Sequence, residues 1–348
     1  GIPRPSPTSS PSSWGFSRRG LVSSMRKFVS KLWPSFRGGD INSLYKPEQI
    51  WRDGYTGQKI RVGIFDTGVR EDHPDLRNIV LRTNWTFQQS LNDGLGHGSF
   101  VAGCIGSINP SCPSVAPDAD LYTFKVFTDA QESFTSWYLD AINYAMIVKV
   151  NIINVSIGGP DYSDTPFVDK FREATASNII VFVAMGNDGP NWGTANNPGD
   201  ELWAIGVGGH TAEFDIASFQ VRGMTIQESP YGYGRIKPDV VAYGQQVHSL
   251  RIERGCREMS GTSVASPVAC GLGTLLASTV PEHERYKKLT PASMKQALME
   301  GADKLPYESI YVQGPGKANL LKSYQVLQKY EPRVTIFPPE LNLVDDRD

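Results

Sequence analysis

The sequence predicts an α/β fold, a parallel sheet with helices on both faces, and three observations carry the expectation. Five short apolar runs, RVGIFDTG (61–68), LYTFKVF (121–127), VNIINVSI (150–157), NIIVFVAM (178–185) and WAIGVGG (203–209), have the length and β-branched content of buried strands. Segments of helical period lie between them, at 136–149 and 165–177. Strands that alternate with helices pair in parallel and need cover on both faces, which places a ligand site at the carboxyl ends of the strands.

The remaining elements follow in order. Residues 1–40 are rich in Ser, Pro, Arg and Gly (PRPSPTSSPSSWGFSRRG) and cannot bury enough apolar surface to offset their ordering entropy, so they read as a flexible linker or propeptide remnant. A short amphipathic piece at 25–33 within them reads as a solvated helix. The span 41–330 reads as one domain. Within it a helix is expected from 263 to about 279, with Pro267 in its first turn, where the amides need no intrahelical acceptor. Another is expected at 291–301 behind Thr290 as N-cap, and GPGKANLLKSYQVLQKY suggests a last one. The Pro-punctuated stretch 331–348 reads as the start of a further module.

Composition narrows the class. The chain has 348 residues, 40% of them hydrophobic and 20% charged, enough apolar surface for one large core with extensions. A net charge of -2 supplies no field to attract nucleic acid or an anionic membrane. No run approaches the ~20 apolar residues of a bilayer span. Four cysteines lack CxxC spacing, which speaks against zinc. Cys104 and Cys270 sit in small apolar helical patterns and read as buried thiols, whereas Cys112 and Cys256 lie in polar loops and could pair.

Three segments put a reactive group on a tight, glycine-flanked backbone: FDTG (65–68), GHGS (96–99) and GTSVASP (261–267). Asp66 follows a buried run and so sits at a strand end. Alone, an aspartate there is more often a turn former. His97 lies between two glycines, which let backbone and substrate approach its ring. The other four histidines, His73, His210, His248 and His283, have no such collar and read as surface or satisfied core residues. Ser263 opens a helix whose first amides and positive dipole end suit a developing oxyanion. Taken together, the order Asp, His, Ser points to nucleophilic acyl transfer. His97 would take the proton of Ser263, Asp66 would hold the imidazole tautomer, and an acyl-enzyme would form. Asn187 in AMGNDGP, at another strand end, would donate its amide to the oxyanion. None of this chemistry asks for a cofactor.

FDTG, GHGS, SIGGP, GNDGP and GTSVASP, in this order over roughly residues 45–330, resemble the subtilase superfamily of serine proteases. NWT (84–86), DGLGHGSFVAG, FTSWYLDAINYA, NVSIGGPDYSDTPFVDK, NNP (196–198), YGYGRIKPD and SGTSVASPV resemble more narrowly its site-1 protease family, membrane-anchored enzymes of the Golgi and endoplasmic reticulum. The resemblance implies a subtilisin-like sandwich with a seven-stranded parallel sheet. It also implies an extended polypeptide substrate paired with Ser156, Ile157 and Gly158. Substrates would be secretory-pathway or membrane-bound precursors cut at Arg-x-x-Leu-like sites, the membrane anchor would lie outside this fragment, and an inhibitory propeptide is a further partner. Asp129 and Glu132 are candidate receivers of the substrate arginine. Arg18 and Leu21 in RRGL carry the same spacing, which predicts self-cleavage between Leu21 and Val22. Structural calcium is implied by the superfamily, with no EF-hand pattern and no ligands assignable. Asn84 is a glycosylation acceptor in a secretory chain, while Asn154 in NVS falls in a buried strand.

Two other readings compete. A catalytically silent subtilase-fold module would hold peptide without cutting it, and a less specific degradative subtilisin would cut without the arginine preference. An α/β-hydrolase would need a GxSxG elbow and the order Ser, Asp, His, and neither occurs around Ser263.

Overall fold

In the computed structural model, which describes residues 39–159, 165–225 and 234–331, seven strands form one all-parallel sheet. They are β1 (Arg61–Asp66), β2 (Ile79–Asn84), β3 (Asp120–Lys125), β4 (Ile152–Val155), β5 (Ile180–Ala184), β6 (Ile205–His210) and β7 (Val240–Tyr243), in the spatial order β2-β3-β1-β4-β5-β6-β7. A two-stranded antiparallel ribbon follows, β8 (Val247–Leu250) with β9 (Cys256–Met259). The main helices are α1 (His97–Gly106), α2 (Thr135–Ile147), α3 (Thr165–Ala176), α4 (Thr262–Ser278), α5 (Pro291–Glu300) and α6 (Leu320–Gln328). The expectations for residues 25–33, for the bond after Leu21, and for nearly all of 1–40 and 331–348 lie outside the described residues.

The strand residues alternate between two cores, as the two-residue period of a strand demands. Val62, Ile64, Ile152, Phe182 and Val207 turn to one face, where Phe100 and Val101 of α1 and Val268 and Leu272 of α4 cover them. Phe65, Ile153, Val155, Val181 and Val183 turn to the other, under Tyr138 and Ile142 of α2 and Phe167 and Phe171 of α3. Phe65 stacks on Phe124 with ring centroids 4.6 Å apart. Full burial of each such side chain contributes about 1.5–3 kcal/mol. Because both faces are covered, β1 and β3 to β6 read as continuous apolar runs.

Strands β2 and β7 escape that reading. β2 (IVLRTN) is an edge strand, exposed or half-exposed along its length, and β7 is four residues long behind Pro238. Thr290 caps α5 as expected, accepting from the Ser293 amide at 3.1 Å while Ser293 Oγ accepts from the Thr290 amide at 2.8 Å. Pro267 requires a correction. The helix begins at Thr262, which puts the proline past the first turn and inside the hydrogen-bonded body of α4.

The cysteines divide as their surroundings suggest. Cys112 and Cys256 form a disulfide that ties the loop after α1 to strand β9, while Cys104 and Cys270 are buried free thiols. Burial pushes the Cys104 thiol up to about 12, so it is held as a small apolar side chain.

Candidate active site

Parallel pairing brings the ends of β1, β3, β4 and β5 to one rim of the sheet, and the three glycine-flanked segments meet there. Asp66 is the last residue of β1 and is 1% exposed. His97 is the first residue of α1, behind Gly96, whose φ of 88° is the left-handed conformation that favours glycine. His97 Nδ1 donates to Asp66 Oδ1 at 2.7 Å and lies 2.9 Å from Oδ2, and Ser263 Oγ lies 3.2 Å from His97 Nε2. Burial works against the imidazolium, yet the charge and hydrogen bond of Asp66, with help from Asp93, outweigh it and raise the His97 pKa above its ordinary value; Arg257 opposes them.

Ser263 owes its placement to the proline. Pro267 has no N–H, so the Ser263 carbonyl one turn back loses its helical donor. The Ser156 hydroxyl donates to it instead, at 3.1 Å. Asn154, buried in β4, supports that contact from behind: its amide donates to Ser156 Oγ at 2.8 Å and its carbonyl oxygen accepts from Ser266 Oγ at 2.8 Å. A polar residue in an apolar strand thus pins the start of α4 to the sheet, which also accounts for the burial of the NVS asparagine.

Asn187 stands just past the end of β5. Its side-chain oxygen accepts from the Thr262 amide at 2.8 Å and from Thr262 Oγ1 at 3.1 Å, which leaves the amide nitrogen for the open side. A Cβ built on Gly261 would lie 3.1 Å from Ser263 Oγ and 3.5 Å from Asn187 Nδ2, so the two groups flank the same glycine. Ser156, Ile157, Gly158, Asn187, His97 and Ser263 all line one cleft of about 530 Å³. Beside it a second cavity of about 160 Å³ is walled by Phe134, Tyr138, Ile157, Gly158 and Phe167.

The structure does not bring Asp129 or Glu132 to the cleft, a correction to the sequence expectation. The Asp129 carboxylate accepts from Lys125 Nζ at 2.8 Å and from the Gly94 amide at 3.2 Å, and the Lys125 hydrogen bond holds its pKa below the usual carboxylate value. Glu132 is exposed, and neither residue lines either cavity. Among the described residues, the carboxylate that lines the cleft is Asp188, which accepts from Asn196 Nδ2 at 3.0 Å. Asn84 is half-buried; its amide nitrogen donates to the carbonyls of Gln88 and Ser90, and a glycan, which takes one of the two amide hydrogens, would displace at least one of these contacts.

No three His, Cys, Asp or Glu side chains among the described residues gather in a metal-holding group. The buried carboxylates of Asp200 and Glu201 adjoin a resident ammonium: Lys237 Nζ donates to the carbonyls of Glu201 and Ala204 and to Asp239 Oδ2, at 2.8, 3.2 and 2.6 Å. That ammonium satisfies the carbonyl oxygens, while Asp200 Oδ2 and Glu201 Oε2 keep no hydrogen-bond partner.

Thr67, Asp93 and Lys125 are residues of the site that the sequence reading does not name, and Asn154 enters it only as a buried NVS asparagine, with no part in the site. The available signal was polarity out of place, a buried Asn and Lys within strand patterns and an Asp four residues before the glycine-collared histidine.

Comparison with known proteins agrees with this geometry. The profile of the subtilase family matches residues 57–320. Subtilisin-like protease SBT6.1 of Arabidopsis thaliana is 54% identical over 305 residues, 88% of this chain and 29% of the relative. The membrane-bound transcription factor site-1 protease of Homo sapiens is 52% identical over the same shares of the two chains. Subtilisin DY of Bacillus licheniformis is 30% identical over 276 residues, 78% of this chain and 93% of the relative. The chain spans 29% of the length of the two eukaryotic relatives. With a matching profile over most of its length, an all-parallel seven-stranded sheet and these relatives, the chain belongs to the subtilase family of serine proteases.

Proposed function

We propose that the chain is an endopeptidase that works through an acyl-enzyme on Ser263, with Asp66 and His97 as its charge and proton partners and Asn187 in its oxyanion hole. One observation carries the reading: a single imidazole lies 2.7 Å from a buried carboxylate oxygen and 3.2 Å from a serine hydroxyl at the mouth of a cleft. Ser263 Oγ attacks the scissile carbonyl as its proton passes to His97 Nε2. The oxyanion that forms faces Asn187 Nδ2 and the Ser263 amide, one of the first amides of α4 and so without an intrahelical acceptor. His97 then gives the proton to the leaving amine, and water, deprotonated by the same nitrogen, releases the acyl group. Asp66 stays ionised and stabilises the imidazolium.

The polypeptide lies extended along Ser156, Ile157 and Gly158, and cleavage follows Arg-x-x-Leu-like sequences in secretory-pathway or membrane-bound precursors. Likeness to a relative named membrane-bound transcription factor site-1 protease supports this, as do the quoted motifs. The disulfide between Cys112 and Cys256 favours the oxidising lumen of that pathway. No single helix among the described residues is long and apolar enough to cross a membrane.

A fluorophosphonate probe tests the nucleophile. The wild-type chain is expected to be labelled and Ser263→Ala unlabelled; equal labelling of both would remove Ser263 from the mechanism. A positional-scanning peptide library tests the arginine preference, which fails if Arg four residues before the cut gives no advantage.

A further inference from the structure

We propose that Asp93 is a positioning residue, a second buried carboxylate that locks Asp66 and His97 into one rigid frame. The proposal rests on the reading of His97 as general base given above. Asp93 is 3% exposed and sits in the loop before α1. Its Oδ1 accepts from Thr67 Oγ1 at 2.8 Å, the Leu95 amide at 3.0 Å and the Gly96 amide at 2.6 Å, and its Oδ2 accepts from the Ser99 amide at 2.8 Å. The last two amides bracket His97. Thr67 completes the frame on the other side: its amide donates to Asp66 Oδ1 at 2.8 Å, its hydroxyl accepts from the Gly98 amide at 2.9 Å, and its carbonyl accepts from Lys125 Nζ at 2.8 Å. One carboxylate therefore reaches both partners of the imidazole hydrogen bond through a single intervening residue.

The frame has no slack. A Cβ on Gly98 would lie 2.1 Å from the Gly68 carbonyl oxygen, so the start of α1 is pressed against the turn that follows β1. The charge of Asp93 is met by four donors and by the N-terminal end of α1. An amide cannot replace it without loss: with one oxygen kept for Thr67, Leu95 and Gly96, the NH2 group would face the Ser99 N–H, donor against donor. The charged groups acting on His97 are Asp66 from β1, Asp93 from this loop and Arg257 from β9; the two carboxylates raise its pKa and the guanidinium lowers it.

The test uses the full chain with Asp93→Asn and Thr67→Val, measuring kcat, KM, the pH profile and thermal unfolding, with probe labelling as a control. For a folded Asp93→Asn, kcat is expected to fall on the order of 100-fold with KM little changed. The acid limb of the profile should move to lower pH, because one of the charges that favour the imidazolium has gone. Thr67→Val keeps that charge and cuts the bridge, so kcat falls while the limb stays in place. A folded Asp93→Asn with wild-type kcat and an unmoved limb overturns the proposal, as does a loss confined to KM. If Asp93→Asn does not fold, unchanged kcat in Thr67→Val overturns it equally. Failure of the wild-type chain to react with the probe would instead strike the triad reading.

Discussion

Two pairs of carboxylates are buried in this fold, and they are treated differently. At the proposed triad, Asp66 accepts from His97 and from the Thr67 amide, and Asp93 accepts from four donors. Beyond Asn196, which lines the cleft, Asp200 and Glu201 share Asn197 Nδ2 as a donor, at 3.1 and 3.0 Å, and each keeps one oxygen with no hydrogen-bond partner. Burial pushes the Asp200 carboxyl up to about 6 and, with the charge of Asp200 added, the Glu201 carboxyl up to about 7. The contrast teaches that burial alone does not decide the state of an acid. Donors and nearby cations decide whether the fold keeps a charge or a proton, as Asp239 also shows: buried, it accepts from Lys237, Lys295 and the Gly206 amide, and its pKa is lowered.

The largest effect that tests this contrast is on turnover. Asp66→Asn is expected to lower kcat by about 10⁴-fold, because the amide holds the wrong tautomer of His97. Asp200→Asn, the same change at the donor-poor pair, is expected to leave kcat as it is. Comparable losses in the two variants would erase the distinction. Steady-state kinetics on one peptide decides the matter.

Next comes the cation that makes the donor-poor pair tolerable. Lys237→Met removes an ammonium from Asp239 Oδ2 and from two buried carbonyls, while Lys295 Nζ remains 3.0 Å from Asp239. Stripping one partner from a buried ion pair costs about 3 kcal/mol, to be read from the denaturant midpoint. A midpoint unchanged from wild type would show that the carbonyls find water instead.

The smallest effect is on pH dependence, where the two regions pull in opposite directions. His97 must be neutral to act as base, and its raised pKa places the acid limb of kcat/KM above the ordinary histidine value of about 6.5. Activity therefore rises with pH through that point. Stability moves the other way. The folded pKa values of Asp200 and Glu201, about 6 and about 7, exceed the ordinary values of 3.8 and 4.5, so the folded state holds the extra protons between them. The contribution is complete below the unfolded values and is lost as pH rises through the folded ones; the raised His97 acts with the same sign. The double variant Asp200→Asn, Glu201→Gln is expected to flatten the fall of Tm with pH. A wild-type Tm that does not fall between about pH 5 and 8 would contradict the assignment.

Strand runs that are apolar throughout were legible because a sheet covered on both faces leaves no polar side to its strands; β1, β4 and β5 are cases. β2 was not, because an edge strand with half-exposed residues carries no such pattern. The glycine collar around His97 was legible as backbone geometry. The fate of Asp129 was not, since nothing local to residues 125–132 says that Lys125 will be fully buried and turn its ammonium on that carboxylate. Pro267 lies deeper in its helix than expected because the helix starts one residue earlier, at Thr262; its missing N–H is legible in the sequence, but the carbonyl that it frees and the hydroxyl that fills the vacancy belong to separate segments.

By itself the sequence determined the layer architecture, the three reactive segments and their order, because side-chain periodicity, glycine torsions and helix starts are local properties of the chain. Only the tertiary structure decided which groups meet. His97 reaches Asp66 across 31 positions and Ser263 across 166, and Cys112 finds Cys256 across 144. Such contacts depend on the register of parallel strands and on which helix packs on which face. Those are outcomes of packing the whole core, and no segment of the sequence encodes them alone.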